Sequence, residues 1–238
     1  MSGQYSNPED TYCNPKTDVL WNKLGIVTAE GLRKLEYPLV LERSKELSNS
    51  PINGAFDIKH LQAIHKYLFQ DVYGWAGNLR MIDIYKDRDY FDPHEALESE
   101  MQKMHTKLEK NNFLKGLGKS EFVDKFTEVF KEINMVHPFR EGNGRSTRQF
   151  MEQLAEQAGY KFDQTVINKD KRSKYEWIKA SKETFNGNME PLRSILNDAI
   201  RPIQQGKSLA EGKQAPRHDT RRRCTSRPPS GVRRTLRR

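Results

Sequence analysis

The sequence is poor in cysteine and contains no long hydrophobic run. Its two cysteines, Cys13 and Cys224, lie far apart and give no disulfide framework, which favours a reducing compartment. No apolar segment approaches the ~20 residues that cross a bilayer, and residues 1–10 lack the apolar core of a secretory signal. We therefore expect a cytoplasmic protein and exclude a membrane protein or a small disulfide-rich one.

Most of the chain has almost no net charge, although the whole sequence carries +9. Residues 201–238 contain twelve lysines and arginines against two acids, a surplus of +10. The preceding 200 residues contain 29 basic and 30 acidic residues, a net charge of −1. The C-terminal stretch is also rich in Arg, Pro, Ser and Gly and has few large apolar residues. We predict a neutral globular part followed by a disordered basic tail over residues 201–238.

Hydrophobic periodicity predicts a mainly α protein with one short β-hairpin. Residues 81–86 and 90–91 flank the polar sequence Asp87-Arg88-Asp89 and alternate between apolar and polar side chains, which indicates two strands joined by a turn. Helices are predicted over residues 17–24, 28–47, 57–71, 94–113, 120–136, 144–158, 170–184 and 188–200.

Residues 137–148, His-Pro-Phe-Arg-Glu-Gly-Asn-Gly-Arg-Ser-Thr-Arg, are the most informative part of the sequence. His137 ends a strongly apolar helical run, and an imidazole with an unperturbed pKa near ~6.5 is a natural general base at neutral pH. The residues Gly142-Asn143-Gly144 then predict a turn that leads into a helix. The unpaired N–H groups and the dipole at a helix N-terminus favour a bound anion. These features indicate a base beside an anion site.

Three charged side chains extend this pattern. Arg145 and Arg148 lie three positions apart in the first helical turn, where cations oppose the helix dipole and suggest a bound anion. Glu141 is a hard oxygen ligand beside the same loop and suits Mg²⁺ that is shared with phosphates. Each feature alone has an ordinary explanation: a core histidine, a surface turn or a solvated helix face. Their occurrence within twelve residues favours a site that holds a triphosphate and deprotonates the group that attacks it.

The segment resembles the signature of the Fic (Fido) family, His-x-Phe-x-Asp/Glu-Gly-Asn-Gly-Arg-x-x-Arg, and every specified position is filled at 137–148. Residues 56–65 and 68–77 also resemble the opening helix and the Trp-Ala-Gly loop of that family. The resemblance implies a Fic-type helical domain with a short β-hairpin flap. It places an N-terminal helical extension at residues 1–55 and the catalytic domain at residues 56–198.

The resemblance implies transfer of AMP from ATP to a protein. His137 would take the proton from a Tyr, Thr or Ser hydroxyl of the target as it attacks the α-phosphorus, and pyrophosphate would leave. Glu141 would hold Mg²⁺ between the α- and β-phosphates. The phosphates would be cradled and clamped by Gly142, Asn143, Gly144, Arg145 and Arg148.

Gly144 distinguishes among the reactions of the family. Relatives that transfer a phosphate resemble this chain but carry Lys at this position, so Gly144 together with both arginines favours AMP transfer. The motif leaves open the transfer of another nucleotide or of phosphocholine. A Fic scaffold that binds nucleotide without turnover is a further alternative, although the intact His137 and Glu141 argue against it.

The predicted hairpin resembles the flap of the family, which pairs with the backbone of the target by strand addition. A plain surface hairpin is the alternative. Lys86, at the end of the first predicted strand, is a candidate contact for the nucleotide or the target protein.

The inhibitory motif that many relatives share does not occur in the sequence. That motif, Ser/Thr-x-x-x-Glu-Gly/Asn, supplies a glutamate that pairs with the second arginine of the signature. Glu30-Gly31 and Glu211-Gly212 have Ile26 and Lys207 where the Ser or Thr is required. The chain therefore resembles bacterial toxins and effectors that a separate small antitoxin protein inhibits. We expect it in the bacterial cytoplasm or, after secretion, in a host cell.

Three interpretations of the basic tail stay open. The first is that the tail binds nucleic acid or an anionic membrane through its charge. The second is that it is an export signal, as in some secreted Fic effectors. The third is that it is a by-product of truncation or a frame change. A protein that binds through this tail without transferase activity is the second functional class.

Overall fold

Eight α-helices and three small antiparallel sheets form the part of the chain that the structure describes, which is residues 10–86 and 89–203 of a computed structural model. The predicted mainly α class is confirmed. The helices are α1 (Ala29–Asn49), α2 (Ile58–Phe69), α3 (Leu97–Lys110), α4 (Lys119–Val136), α5 (Asn143–Gln157), α6 (Thr165–Asn168), α7 (Lys171–Glu183) and α8 (Glu190–Ala199). The strands are β1 (Cys13–Asn14), β2 (Val19–Leu20), β3 (Tyr85–Lys86), β4 (Asp89–Tyr90), β5 (Tyr160–Phe162) and β6 (Ile200–Pro202).

Polar side chains fix where three of the helices begin. Thr28, Asp57 and Asp170 precede α1, α2 and α7, and each accepts a hydrogen bond from the backbone N–H three positions ahead, at 3.2, 2.8 and 2.8 Å. The first N–H groups of a helix have no partner within it, so these side chains satisfy a donor that would otherwise be unpaired. The starts of these helices are thus encoded locally.

The hydrophobic core lies where α4 and α5 pack against each other and α5 packs against α2. Apolar residues recur every three or four positions along α4, and this spacing places them on one buried face. Helix α1 also packs against α2 and α5, so the N-terminal region shares the core of the signature helices. Buried members of this core include Leu32, Val40, Leu47, Leu61, Ile64, Leu68, Phe122, Phe126, Phe130, Ile133, Phe150 and Leu154.

The predicted helix over residues 17–24 is wrong, because β1 and β2 form an antiparallel hairpin in this region. The N–H groups of Thr17 and Asp18 both bond to the Asn14 carbonyl, at 3.1 and 2.8 Å. Asp18 also adopts the left-handed region with φ of 53°. A turn that closes in this way cannot continue as a right-handed helix.

The predicted flap hairpin is present but shorter than the sequence suggests. Strands β3 and β4 pair in antiparallel register, whereas residues 81–84 lie outside the sheet. Side chains take the place of strand partners there: Tyr12 accepts from a backbone N–H, and Arg80 donates to a backbone carbonyl. Asp83 accepts hydrogen bonds from the N–H and ring of His94. The alternation of residues therefore overestimated the length of the first strand.

Strand β6 continues directly from α8 and pairs with β5, so residues 201 and 202, assigned to the tail from sequence, lie in a small sheet. The remainder of the predicted disordered tail, from residue 204 onward, lies outside the described residues. Within the described ranges, none of the helices combines the length and the apolar character needed to cross a membrane.

Candidate active site

The signature begins at a left-handed turn that ends α4. His137 has φ of 46° and ψ of 61°, and its N–H closes the helix by bonding to the Ile133 carbonyl at 3.0 Å. Left-handed backbone is unfavourable for a residue with a side chain, so the surroundings must hold it in place. The turn directs the chain away from the helix axis and into the loop that precedes α5.

The imidazole of His137 is buried and held in a defined orientation. Its Nδ1 donates to the Asn134 carbonyl at 3.1 Å, and its ring stacks on Phe91 with centroids 3.9 Å apart. Burial lowers the pKa of His137 to about 3, and the positive charges of Lys86 and Arg80 also lower it. The ring is therefore neutral at pH 7. Because a carbonyl can only accept, Nδ1 carries the proton and Nε2 has the lone pair that a general base requires.

Arg80 holds the left-handed turn, a role that no sequence motif indicates. Its guanidinium, 2% exposed, donates to the carbonyls of His137 at 2.9 Å, Val136 at 3.1 Å and Ile82 at 2.8 Å, and also to the carbonyl of Asp92. These carbonyls belong to the end of α4 and to both sides of the flap. One buried cation thus joins the turn at His137 to the flap.

His65 is a second structural link that the motif did not reveal. The N–H of Gly77 donates to Nδ1 at 2.8 Å, so Nδ1 is the acceptor, and Nε2 donates to the Glu141 carbonyl at 2.9 Å. The ring also stacks on Phe139 with centroids 3.8 Å apart. Burial lowers the pKa of His65 to about 3, so the ring stays neutral. The Trp-Ala-Gly loop is thereby tied to the signature loop.

The loop between His137 and α5 is closed by Asn143. Its side-chain oxygen accepts from the Phe139 N–H at 2.8 Å, and its amide donates to the Phe139 carbonyl at 2.6 Å. The Asn143 side chain therefore shapes the loop and leaves only its backbone N–H for a ligand. Gly142 has φ of +84°, and a Cβ there would lie 2.3 Å from the Phe69 ring. Only glycine fits at Gly142.

The start of α5 has the features that an anion site requires, at the position where the sequence predicts one. The N–H groups of Asn143 and Gly144 have no hydrogen-bond partner within residues 10–86 and 89–203. Arg148 lies beside them, since a Cβ at Gly144 would be 3.5 Å from its Nη1. Burial and the charge of Arg145 lower the pKa of Arg148 to about 10, which leaves it protonated at pH 7. Arg148 forms no hydrogen bond or ion pair with a described residue.

Arg145 has a different environment from Arg148. Its Nη1 pairs with Oε1 of Glu36 on α1, and its Nη2 lies 3.4 Å from Oε1 of Glu141. The guanidinium also lies over the Phe69 ring, 4.6 Å from the centroid. Burial opposes the charge of Arg145, but the two carboxylates raise its pKa above the ordinary value. The two signature arginines are thus held differently, although their spacing is that of one helix face.

Glu141 is suited to hold a divalent cation together with a ligand. Its Oε1 accepts from the Gly142 N–H at 2.9 Å, whereas its Oε2 accepts no hydrogen bond from a described residue. No cluster of three or more His, Cys, Asp or Glu side chains that would enclose a metal occurs in the described ranges. A single carboxylate beside a phosphate site fits Mg²⁺, which usually binds through one or two carboxylates, waters and substrate phosphates.

Lys86 lies on β3 opposite Asp89, at the end of the flap hairpin. Its charge contributes to the lowered pKa of His137, which places it in the electrostatic environment of the candidate base. The flap and the candidate base are therefore electrostatic neighbours, and the candidate anion site at the start of α5 follows His137 after five residues of the same segment.

Comparisons with known proteins show the family of this chain. A family model described as the Fic/DOC family matches residues 55–155. The protein adenylyltransferase VbhT of Bartonella schoenbuchensis is 38% identical over 193 residues, which are 81% of this chain and 39% of that protein. The chain therefore spans about two fifths of the length of VbhT. The Probable protein adenylyltransferase Fic of Salmonella typhimurium is 34% identical over 200 residues, 84% of this chain and 96% of that protein.

Solved structures show the same fold. The BepC protein of Bartonella tribocorum, a VirB-translocated effector with bound AMPPNP, has a TM-score of 0.73 at 28% identity and covers 80% of this chain and 96% of its own. The Fic domain of a VirB-translocated Bep effector from Bartonella quintana, with bound ADP, has a TM-score of 0.73 at 30% identity and covers 81% and 95%. The family signature, the shared fold and the extended identity lead to one conclusion: this chain belongs to the Fic/DOC family.

Proposed function

We propose that this chain is a protein adenylyltransferase that transfers AMP from ATP to a Tyr, Thr or Ser hydroxyl of a target protein and releases pyrophosphate. The observation that carries the proposal is a neutral, buried His137 in the same loop region as unpaired N–H groups and an unpaired Arg148. The names of the relatives VbhT and Fic support the same activity. The AMPPNP and ADP bound to the Bep structures support ATP as the nucleotide.

In the proposed reaction the hydroxyl oxygen of the target forms a bond to the α-phosphorus. The bond from that phosphorus to the oxygen bridging the β-phosphate breaks, and pyrophosphate leaves with its electron pair. His137 accepts the hydroxyl proton at Nε2, the nitrogen that carries the lone pair. In-line displacement of this kind depends mainly on positioning and on charge stabilisation.

The remaining residues hold the triphosphate. The N–H groups of Asn143 and Gly144 at the start of α5 receive phosphate oxygens, and Arg148 supplies the positive charge beside them. Arg145, held by Glu36 and Glu141, supplies further positive charge near the phosphates, and Glu141 would hold Mg²⁺ with the carboxylate oxygen that has no described partner. The metal ion, when bound, neutralises charge on the phosphates and on the leaving pyrophosphate. The small hydrogen at Gly144 leaves room for a phosphate, which favours AMP transfer over phosphate transfer.

The flap positions the acceptor hydroxyl of the target protein. Strands β3 and β4 form a two-stranded hairpin with an outer edge, and Tyr90 at the edge is 78% exposed. An extended segment of the target that adds to this edge would place its hydroxyl near His137. Lys86, whose charge acts on His137, contacts the nucleotide or the target in this arrangement.

Control of the activity lies in a separate chain. Arg148 pairs with no carboxylate in the described part of the chain, which supports the absence of an in-chain inhibitory glutamate. A small antitoxin protein that offers a carboxylate to Arg148 would block the position of the terminal phosphate. The enzyme would act in the bacterial cytoplasm or, like effectors translocated by a VirB system, in a host cell.

The proposal is tested with labelled ATP. The purified chain is incubated with a cell lysate and Mg²⁺, once with ATP labelled at the α-phosphate and once with ATP labelled at the γ-phosphate. Protein-bound label from the α position alone is the expected result. Label from the γ position alone would indicate a kinase, and the absence of both would indicate a binding protein without transferase activity.

A further inference from the structure

Helix α1 brings a buried carboxylate to the signature from outside the region that the family model matches. Glu36 is 8% exposed and lies upstream of residues 55–155. Its Oε1 accepts from Nη1 of Arg145, and its Oε2 accepts from the hydroxyl of Tyr73. Both carboxylate oxygens are therefore used in an interior setting, where an unpaired charge would be costly.

Arg145 extends this contact to the candidate metal ligand. Its second amino group lies 3.4 Å from Oε1 of Glu141, and the same oxygen accepts from the Gly142 N–H at 2.9 Å. Two donors thus hold one oxygen of Glu141, and the other oxygen is left without a described partner. The orientation of the Glu141 carboxylate depends on where the Arg145 guanidinium is held.

Glu36 determines where the Arg145 guanidinium lies. One guanidinium and one carboxylate alone would favour a bidentate pair, in which Arg145 engages both oxygens of Glu141. With Glu36 present, Nη1 of Arg145 is occupied and only Nη2 reaches Glu141. The stacking of Arg145 on Phe69 restrains the guanidinium further. The contact to Glu36 therefore keeps Oε2 of Glu141 accessible.

We propose that Glu36 is a positioning residue for the magnesium–nucleotide complex. It anchors Arg145 so that Glu141 keeps one oxygen for the metal ion, and it leaves Arg148 as the guanidinium that receives the terminal phosphates. This inference rests on the proposed function, because it presupposes that the site binds a nucleotide with Mg²⁺. It adds a residue of α1 to a site that the signature otherwise defines.

The test is Glu36→Gln, which removes the charge but preserves the size of the side chain and an acceptor for Tyr73. Calorimetry measures the binding of AMPPNP to the full chain over a range of Mg²⁺ concentrations and in EDTA. The Mg²⁺ concentration that gives half-maximal enhancement of binding should rise about tenfold, as for other residues that orient a metal ligand. Binding in EDTA should change less than about twofold, because the phosphate donors themselves are intact.

Glu46→Gln is the matched control on the same helix. Glu46 also accepts from a tyrosine hydroxyl, Tyr67 at 2.9 Å, and pairs with an arginine, Arg43 at 3.0 Å, but these partners lie outside the signature. Its Mg²⁺ dependence should equal that of the wild type. A second variant, Arg145→Lys, keeps a positive charge but cannot span two carboxylates, and it should reproduce the shift of Glu36→Gln.

The outcomes separate the inference from the proposed function. An unchanged Mg²⁺ dependence in Glu36→Gln would overturn the role of Glu36, and so would an equal shift in Glu46→Gln. If Glu36→Gln does not fold, an unchanged Mg²⁺ dependence in Arg145→Lys would likewise overturn the role of Glu36. A wild-type chain that binds no AMPPNP at any Mg²⁺ concentration would instead contradict the proposed function. A wild-type chain that binds AMPPNP but transfers no AMP would contradict the proposed reaction and leave the measured role of Glu36 intact.

Discussion

A neutral imidazole can accept a proton, and burial, together with the positive charges of Lys86 and Arg80, keeps His137 neutral by lowering its pKa. Its Nδ1 is committed to the Asn134 carbonyl, and its ring lies against Phe91. Arg80 maintains the backbone turn that presents this ring, and it does so through carbonyl oxygens of the turn and the flap. At the scale of single residues, therefore, the orientation of the candidate base depends on partners that lie outside the twelve-residue signature.

Because His137 is buried as a neutral ring, the free energy of unfolding should depend on pH. Its pKa in the folded protein is about 3, below the ~6.5 of an unfolded chain, so the unfolded state binds protons first as the pH falls. The free energy of unfolding should therefore decrease from about pH 6.5 downward, by up to ~1.4 kcal/mol per pH unit from this residue. Urea denaturation between pH 7 and pH 5 measures this slope.

The control for this pH dependence is His137→Ala, which removes the titrating group. Its unfolding free energy should fall less steeply with pH than that of the wild type, while the buried His65 contributes equally to both proteins. Identical slopes in the two proteins would mean that His137 is not buried as a neutral ring.

At the scale of elements, the junction between the signature loop and α5 distinguishes two glycines. Gly142 combines a positive φ with close contact to Phe69, whereas a Cβ at Gly144 would meet only Arg148, at an ordinary 3.5 Å. The first glycine is required by the fold. The second leaves the approach to the N–H groups open, as the proposed nucleotide would require.

This difference predicts opposite results for two alanine variants. Gly142→Ala should lower the free energy of unfolding by about 2 kcal/mol or more, through left-handed strain and overpacking. Gly144→Ala should change it by less than ~1 kcal/mol, because the position is in a helical turn, but should weaken AMPPNP binding about tenfold. Denaturation and calorimetry on both variants check this. Unimpaired AMPPNP binding by Gly144→Ala would show that phosphates do not approach this position.

The elements also show what sequence can predict. Long amphipathic helices such as α4 and α5 were predicted because their apolar spacing is local, and the signature lay in one uninterrupted stretch. The N-terminal hairpin was missed because a turn at Asp18 overrides a short, ambiguous pattern. The pair between Glu36 and Arg145 joins residues 109 positions apart, so no local pattern reveals it. Sequence thus indicated the family and the candidate site residues, whereas the contacts that support those residues required the fold.

At the scale of the whole molecule, the described chain forms a site without an inhibitory carboxylate on Arg148. The N-terminal helix α1 packs on the same core as the signature helices, but its buried Glu36 pairs with Arg145. The terminal-phosphate position is therefore not closed by this helix. This arrangement is consistent with control by a second protein.

The resulting prediction is that the protein is active and toxic when produced alone. Expression of the wild-type chain in a bacterium without a partner gene should slow growth, because Arg148 is available to ATP. The His137→Ala variant, produced at the same level, should not slow growth. A purified lone chain that modifies no lysate protein, with Glu141 and Arg148 intact, would contradict control by a separate inhibitor.

The most direct measurement is mass spectrometry of target proteins after incubation with ATP, Mg²⁺ and either the wild-type chain or His137→Ala. AMP is expected on a Tyr, Thr or Ser hydroxyl with the wild type. No AMP adduct is expected with His137→Ala, although this variant should bind AMPPNP within about threefold of the wild type, since the proposed base does not hold the phosphates. A phosphate adduct in place of AMP, or an undiminished AMP adduct with His137→Ala, would contradict AMP transfer with His137 as the base.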